Sequence, residues 1–345
     1  MTGAAMLLKL AKTVSYTLLG LILSIVAAAA IGSYFSLDRN FTHSKASAEL
    51  PTIDSAPSNG LIQLAANDFS FRARVAGFDN IDGELVILLH GFPVTSAMWE
   101  PLLPALAKGG YRAIAFDQRG YSPGARPLES SAYTIDHLVS DVMAVADALG
   151  AEQFHLVGHD WGSAVGWNTV LSHPSRILSW TGLSIAHPAA FADALQNDPD
   201  QQSRSAYFAL FTTPLVPEIL LTFNGLALLS AAYEGMDQAK SDEYQAVFSE
   251  PRALTSALNW YRQMNASRAT AQTADMSVTA PTLFIWGNND AAVGRGAVEA
   301  QRQYMRGDYR VIELDGEHWL MTSHASQIVP EILEHFRSAS EQAIN

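Results

Sequence analysis

The sequence predicts an α/β fold in which a mostly parallel sheet carries helices on both faces and accepts a helical insertion. Three observations predict it. Short apolar runs alternate with helix-length stretches through most of the 345-residue chain, and such alternation marks strand–helix–strand units. The run Leu85-Val86-Ile87-Leu88-Leu89 is apolar without a break, as a strand covered on both faces must be. Between about His187 and Met276 the alternation gives way to helical segments rich in aromatic residues, and strands then return.

Taken in order, the chain begins with Lys9 and Lys12 followed by an uncharged stretch from Thr13 to Leu37. Some 20 apolar residues, at about 1.5 Å each, cross a bilayer core. Residues 1–37 therefore read as an N-terminal transmembrane anchor. A cleaved secretory signal is the rival, because Ala28-Ala29-Ala30 and Ala46-Ser47-Ala48 offer small-residue cleavage sites. Positive charge ahead of the span places the body outside the cytoplasm, periplasmic or extracellular, and cleavage would release it as a secreted protein. Residues 38–60, rich in Ser, Thr, Ala, Pro and Asn and without apolar periodicity, read as a linker.

Residues 61–186 form the first part of the core. Strands are expected at Phe71 to Ala76, Leu85 to Leu89, Tyr111 to Phe116, Gln153 to Val157 and Ile177 to Leu183. Helices are expected from Ala97 to Lys108, from Thr134 to Leu149 and after Trp161. Residues 187–276 form a helical cap punctuated by Pro214 and Pro217, and an all-helical insertion of this kind is a lid. Residues 277–345 complete the core with strands at Thr282 to Trp286 and Arg310 to Leu314 and a helix from Ser326.

Composition removes whole classes of function. The formal net charge is −13 and the basic residues are scattered, so no surface is built for nucleic acid. The chain has no cysteine, which removes disulfides, thiolate catalysis and Cys-ligated zinc together.

Gly158-His159-Asp160-Trp161-Gly162 follows an expected strand and precedes an expected helix, the context of a nucleophile elbow. The glycines permit the sharp turn and leave the side chain of Asp160 projecting from the sheet edge. His90-Gly91-Phe92-Pro93 ends the strand Leu85 to Leu89, where such a sheet supplies an oxyanion donor. The backbone N–H groups of Phe92 and Trp161 are the candidates for that oxyanion hole. Asp290 and His318 end the last two strands, so nucleophile, acid and base run Asp160, Asp290, His318 along the chain, the order found in the α/β-hydrolase fold. Asp315 is a rival acid but lies close to His318 in sequence. His159 and the remaining histidines read as structural or surface residues. In the insertion, Tyr207 and Tyr261 carry phenols that stay protonated at neutral pH and donate hydrogen bonds to a developing alkoxide.

From about Phe69 to the C-terminus the chain resembles the epoxide hydrolases of the α/β-hydrolase superfamily. The matching motifs are His90-Gly91-Phe92-Pro93, Gly158-His159-Asp160-Trp161-Gly162, Asn259-Trp260-Tyr261-Arg262 and His318-Trp319. The resemblance puts the family's second lid tyrosine on Tyr261, and its first on Tyr207 through the spacing of Tyr207, Phe211 and Pro214. Two residues depart from the family pattern. Thr212 stands where Gln is common, and Glu317 stands where Gly precedes the base, which is expected to raise the pKa of His318. The resemblance implies opening of a small apolar epoxide by Asp160, with both phenols on its oxygen, and hydrolysis of the resulting ester by water activated by His318 and Asp290. It implies neither metal nor organic cofactor. Haloalkane dehalogenases share the aspartate elbow, and a haloalkane or haloacid dehalogenase using the same Asp nucleophile is the alternative. The haloalkane enzymes, however, place a halide-binding Asn where this chain has Phe92, and they lack the paired phenols. A non-catalytic receptor on this fold would need a damaged site.

Overall fold

The computed structural model describes residues 16–29, 42–264 and 275–344. Eight strands form one sheet: β1 (Gly60–Ala66), β2 (Phe69–Ala76), β3 (Leu85–Leu89), β4 (Arg112–Phe116), β5 (Phe154–His159), β6 (Ile177–Leu183), β7 (Thr282–Gly287) and β8 (Tyr309–Leu314). Their spatial order is β1-β2-β4-β3-β5-β6-β7-β8. Strands β1 and β2 pair antiparallel, as do β2 and β4, and every later pairing is parallel.

Residue chemistry explains where each strand sits. All five residues of β3 are buried, as its unbroken apolar run requires at the centre of a doubly covered sheet. At the far edge, β8 has no fully buried position and mixes exposed with half-buried residues, and Arg310 pairs there with Glu331. Helices α3 (Leu103–Lys108), α4 (Ile135–Ala148), α5 (Trp161–Ser172) and, after the cap, a long C-terminal helix (Ala325–Ile344) pack against the sheet. Trp99, Trp167, Trp180 and Phe284 are fully buried in the core between these layers.

The strands and helices expected of the core lie where the sequence places them, beside two short helices it did not anticipate (Arg295–Ala300 and Leu320–Ser323) and with three further differences. The single helix expected from Ala97 to Lys108 is instead a short 3-10 turn (Ser96–Trp99) followed by α3; Pro101 and Pro104, which have no N–H, prevent one continuous ladder. The sheet also begins one strand earlier than the first expected strand. Asn67 and Asp68, both at positive φ (51° and 62°), make the two-residue hairpin turn that returns β1 onto β2. Finally, the stretch read as a linker contains a helix, α2 (Thr42–Ala48), whose His43 and Ser47 are buried. Ser44 N–H donates to Glu250 and Ser47 C=O accepts from Gln63, so this segment is folded onto the body.

Ahead of it, residues 16–29 form an apolar helix, α1 (Tyr16–Ala29), and the rest of the expected span lies outside the described residues. Among the described residues no single helix is long and apolar enough to cross a membrane.

The insertion contributes α6 (Pro188–Asn197), α7 (Pro199–Arg204), α8 (Phe208–Thr212), α9 (Val216–Ser230), α10 (Gln238–Ser249) and α11 (Ala253–Gln263). It is fastened to the core by buried charge. Glu243 on α10 accepts from Arg72 and Arg74 of β2 and from the Thr95 hydroxyl, and Glu250 pairs with Arg126. Removing one member of such a cluster strands the others without solvent, so the cap is held in a fixed pose over the sheet edge.

Candidate active site

Five neighbouring strand ends deliver the site. Phe92 follows β3, Asp160 follows β5, Ser184 follows β6, Asp290 follows β7 and His318 follows β8. In spatial order these strands are adjacent, so residues far apart in sequence converge at the carboxyl edge, as open α/β sheets arrange their ligands.

Asp160 sits at the N-terminus of α5 with φ 53° and ψ −124°, a strained conformation for a non-glycine residue. Close packing enforces it. A Cβ at Gly162 would collide with the carbonyl of Leu89, and one at Gly91 with the Asp160 carboxylate itself. The elbow therefore presses against the loop after β3. The Phe92 N–H donates to Asp160 Oδ1 at 2.8 Å, and the Trp161 N–H lies near enough to the carboxylate to favour its charged form. These are the two donors expected of an oxyanion hole. The Phe92–Pro93 peptide is cis, and His90 braces this loop, bonded through Nδ1 to Gly91 O at 2.9 Å and through Nε2 to the Gln118 N–H at 3.0 Å.

On the other side of the carboxylate, His318 Nε2 lies 3.8 Å from Asp160 Oδ2. His318 Nδ1 lies 3.1 Å from both carboxylate oxygens of Asp290. Asp290 is fully buried and accepts the Ala292 N–H at 2.7 Å. Asp315, the rival acid, is exposed and accepts from Asn289. His159 has a supporting place: its ring nitrogen bonds the His318 carbonyl at 3.0 Å.

The charges follow from this packing. Burial lowers the pKa of His318, but the carboxylates of Asp290 and Asp160 outweigh it and raise it to about 9. Glu317, the neighbour expected to do this, is exposed and is not among the causes. Burial raises Asp160, and the His318 charge and two backbone N–H groups only partly oppose it. Burial also acts to raise Asp290, yet the His318 charge and its hydrogen bonds leave it well below the usual carboxylate range.

Tyr207, at the start of α8, and Tyr261, on α11, meet above Asp160. Their rings meet edge to face with centroids 6.2 Å apart. Burial first, with the negative charge of Asp160 adding to it, raises both phenols, so they remain donors. The replacement of Gln by Thr212 leaves this geometry in place, because the Thr212 hydroxyl turns back onto the Phe208 carbonyl at 2.8 Å. Trp161 contributes its side chain as well, its indole packed edge to face on the Tyr261 ring at 5.0 Å.

Ser184 is the residue the sequence reading missed. Its hydroxyl donates to Asp290 Oδ2 at 2.6 Å and lies 3.0 Å from His318 Nδ1, with φ at 72°. The available signal was its position just beyond Leu183, at the end of a strand whose neighbours both carry site residues.

A cavity of about 550 Å³ opens beside Asp160, lined mainly by apolar groups, among them Trp161, Phe191, Tyr207, Phe208 and Trp260. Among the described residues no group of three or more His, Asp or Glu side chains stands close enough to hold a metal ion.

This architecture matches known proteins over most of the body. The family profile for the alpha/beta hydrolase fold matches residues 84–325. Epoxide hydrolase 2 of Caenorhabditis elegans is 31% identical over 267 residues, 74% of each chain. Epoxide hydrolase A of Mycobacterium tuberculosis is 30% identical over 306 residues, 76% of this chain and 93% of that protein. The crystal structure of epoxide hydrolase A from Mycobacterium thermoresistibile superimposes with a TM-score of 0.69 at 28% identity, covering 81% of this chain and 98% of that one. The chain therefore belongs to the α/β-hydrolase superfamily and, within it, to the epoxide hydrolases.

Proposed function

We propose that the enzyme converts a neutral, apolar epoxide to a vicinal diol through a covalent alkyl ester on Asp160. The observation that carries this reading is the asymmetric hold on one carboxylate. Oδ1 is bound by the Phe92 N–H, while Oδ2 faces His318 beneath two phenols. A carboxylate suits attack on an sp³ carbon because the product is an alkyl ester, whereas attack on an acyl group would give a reactive anhydride.

In the first half-reaction an Asp160 oxygen forms a bond to one ring carbon as the C–O bond opens. The departing oxygen takes a proton from Tyr207 or Tyr261. Alkylation removes the negative charge of Asp160, one of the two charges that hold the proton on His318. His318 then releases that proton, which restores the phenol, and becomes a neutral base. In the second half-reaction it takes a proton from water as the water adds to the ester carbonyl, whose oxygen rests on the Phe92 and Trp161 N–H groups. Collapse expels the alkoxide, which takes the proton of the newly formed Asp160 carboxylic acid to become the diol, and so returns the Asp160 carboxylate and protonated His318. Asp290, held by Ser184 and the Ala292 N–H, keeps Nδ1 protonated and Nε2 aimed at the water.

The test is His318→Gln with intact-mass analysis. Alkylation proceeds and ester hydrolysis stops, so an adduct equal to the whole epoxide accumulates on Asp160. A dehalogenase would instead add the substrate less hydrogen halide. An adduct on another residue, or none with an epoxide that the native enzyme consumes, defeats the covalent mechanism.

A further inference from the structure

Helix α9 is apolar on its outer as well as its inner side. Inward, Leu226 and Leu229 are buried, the Glu218 carboxylate takes the Arg262 guanidinium at 2.8 and 3.0 Å, and Thr222 is buried, its hydroxyl donating to the Glu218 carbonyl. Val216, Leu220 and Phe223, spaced i, i+4, i+7, form the outward stripe with 44%, 42% and 48% of their surface exposed. Leu215 before the helix, at 70%, extends it, and Leu228, at 55%, is exposed on the limb beyond the break in the helix. A helix on a water-facing surface ordinarily turns such a stripe to the core, and a contiguous exposed apolar face marks a site of contact.

We propose that this face of the cap docks on a lipid bilayer. Two observations choose lipid over protein. The chain carries a second exposed apolar element in α1, with Leu18, Leu19, Leu21, Ile22, Leu23 and Ile25 all more than half exposed. A bilayer covers both elements at once. The elements are also within reach of each other: α2 packs on α10, α10 packs on α9, and residues 30–41, which join α1 to α2, extend to about 40 Å at most.

The manner of docking follows from geometry and charge. By length and composition Val216–Phe223 and Gly225–Tyr233 together resemble a span, but the two limbs are bent by 72° at the break between them, and α9 is packed on α8 and α10. The helix therefore lies in the interface without crossing it. The chain is strongly acidic, at −13, and Glu218, the only charged residue in α9, is already paired. Attraction is thus apolar, and binding to zwitterionic phosphatidylcholine is insensitive to salt.

The absence of cysteine makes a direct test available in the full-length chain. Leu220→Cys is labelled with a polarity-sensitive nitrobenzoxadiazole dye, and Glu152→Cys, in the exposed loop before β5, serves as the control. Retained turnover of an epoxide shows that each labelled protein is folded. On adding phosphatidylcholine vesicles, emission at position 220 shifts to the blue and rises several-fold, equally in 0.1 and 1 M salt, while position 152 does not change. The proposal is overturned if position 220 stays unchanged while the protein co-floats with vesicles, which would leave α1 as the sole contact, or if the protein does not float. It is equally overturned if the shift grows with protein concentration in the absence of lipid, which would identify a second copy as the occupant.

Discussion

Alkylation of Asp160 should itself convert His318 from acid to base, and the size of that change can be worked from one distance. In the resting enzyme His318 is raised to about 9 by Asp290 and Asp160, against burial, so it is protonated at neutral pH. His318 Nε2 stands 3.8 Å from Asp160 Oδ2; two unit charges at that separation interact by about 1 kcal/mol in a water-like medium and by about 4 kcal/mol at an effective dielectric of 20. These energies correspond to roughly 1–3 pKa units. Esterification removes that interaction, so starting from about 9, His318 in the alkyl-enzyme should titrate between about 6 and 8. With enzyme in excess, rapid-quench measurement separates ester formation from ester hydrolysis. Hydrolysis should rise with pH through one ionisation in that lower range and level off, while imidazole NMR of the resting enzyme gives a midpoint near 9. Asp160→Asn, which never carries the charge, should titrate in the lower range without substrate. A hydrolysis rate that keeps climbing through the resting midpoint, or an unchanged midpoint in Asp160→Asn, refutes the idea that the nucleophile's charge sets the proton on the base.

Tyr207→Phe or Tyr261→Phe should each slow ester formation about tenfold, because the other phenol still donates, while the double variant should lose about 10³-fold or more, read in the same quench experiment; unimpaired epoxide opening in the double variant would revive the dehalogenase reading. Ser184→Ala should slow ester hydrolysis about tenfold, the equivalent of one hydrogen bond to a buried carboxylate, while ester formation is unchanged. An equal loss in both steps would mean that the serine only supports the fold. Deleting residues 1–41 should preserve turnover, whereas deleting residues 1–49 removes the bond from Ser44 to Glu250 and should lower the melting temperature by several degrees; identical melting of the two would mean that α2 does not hold the cap.

What the sequence made legible is the chemistry that depends on local backbone. An elbow needs glycines at fixed offsets around Asp160, and a buried strand needs an unbroken apolar run, so both are written in consecutive residues. Helix α2 escaped because its burial is polar: His43, Ser44 and Ser47 face Glu250 and Gln63, which leaves no apolar period to read. Ser184 escaped for a related reason, since a serine after a strand has no pattern of its own and its partner Asp290 is 106 residues away. Glu317 shows the opposite error. Adjacent to His318 in sequence, it was expected to govern that residue's charge, yet neighbours along a loop point apart and Glu317 faces solvent. The groups that do hold the proton, Asp290 and Asp160, are 28 and 158 residues distant and are brought within 3.1 and 3.8 Å by the ends of β7 and β5. Charge coupling falls off with distance in space, and at a parallel sheet edge that distance is set by strand order. Residue types and motif order can therefore name a triad from sequence, whereas the pKa of its base depends on which strand ends the topology makes neighbours.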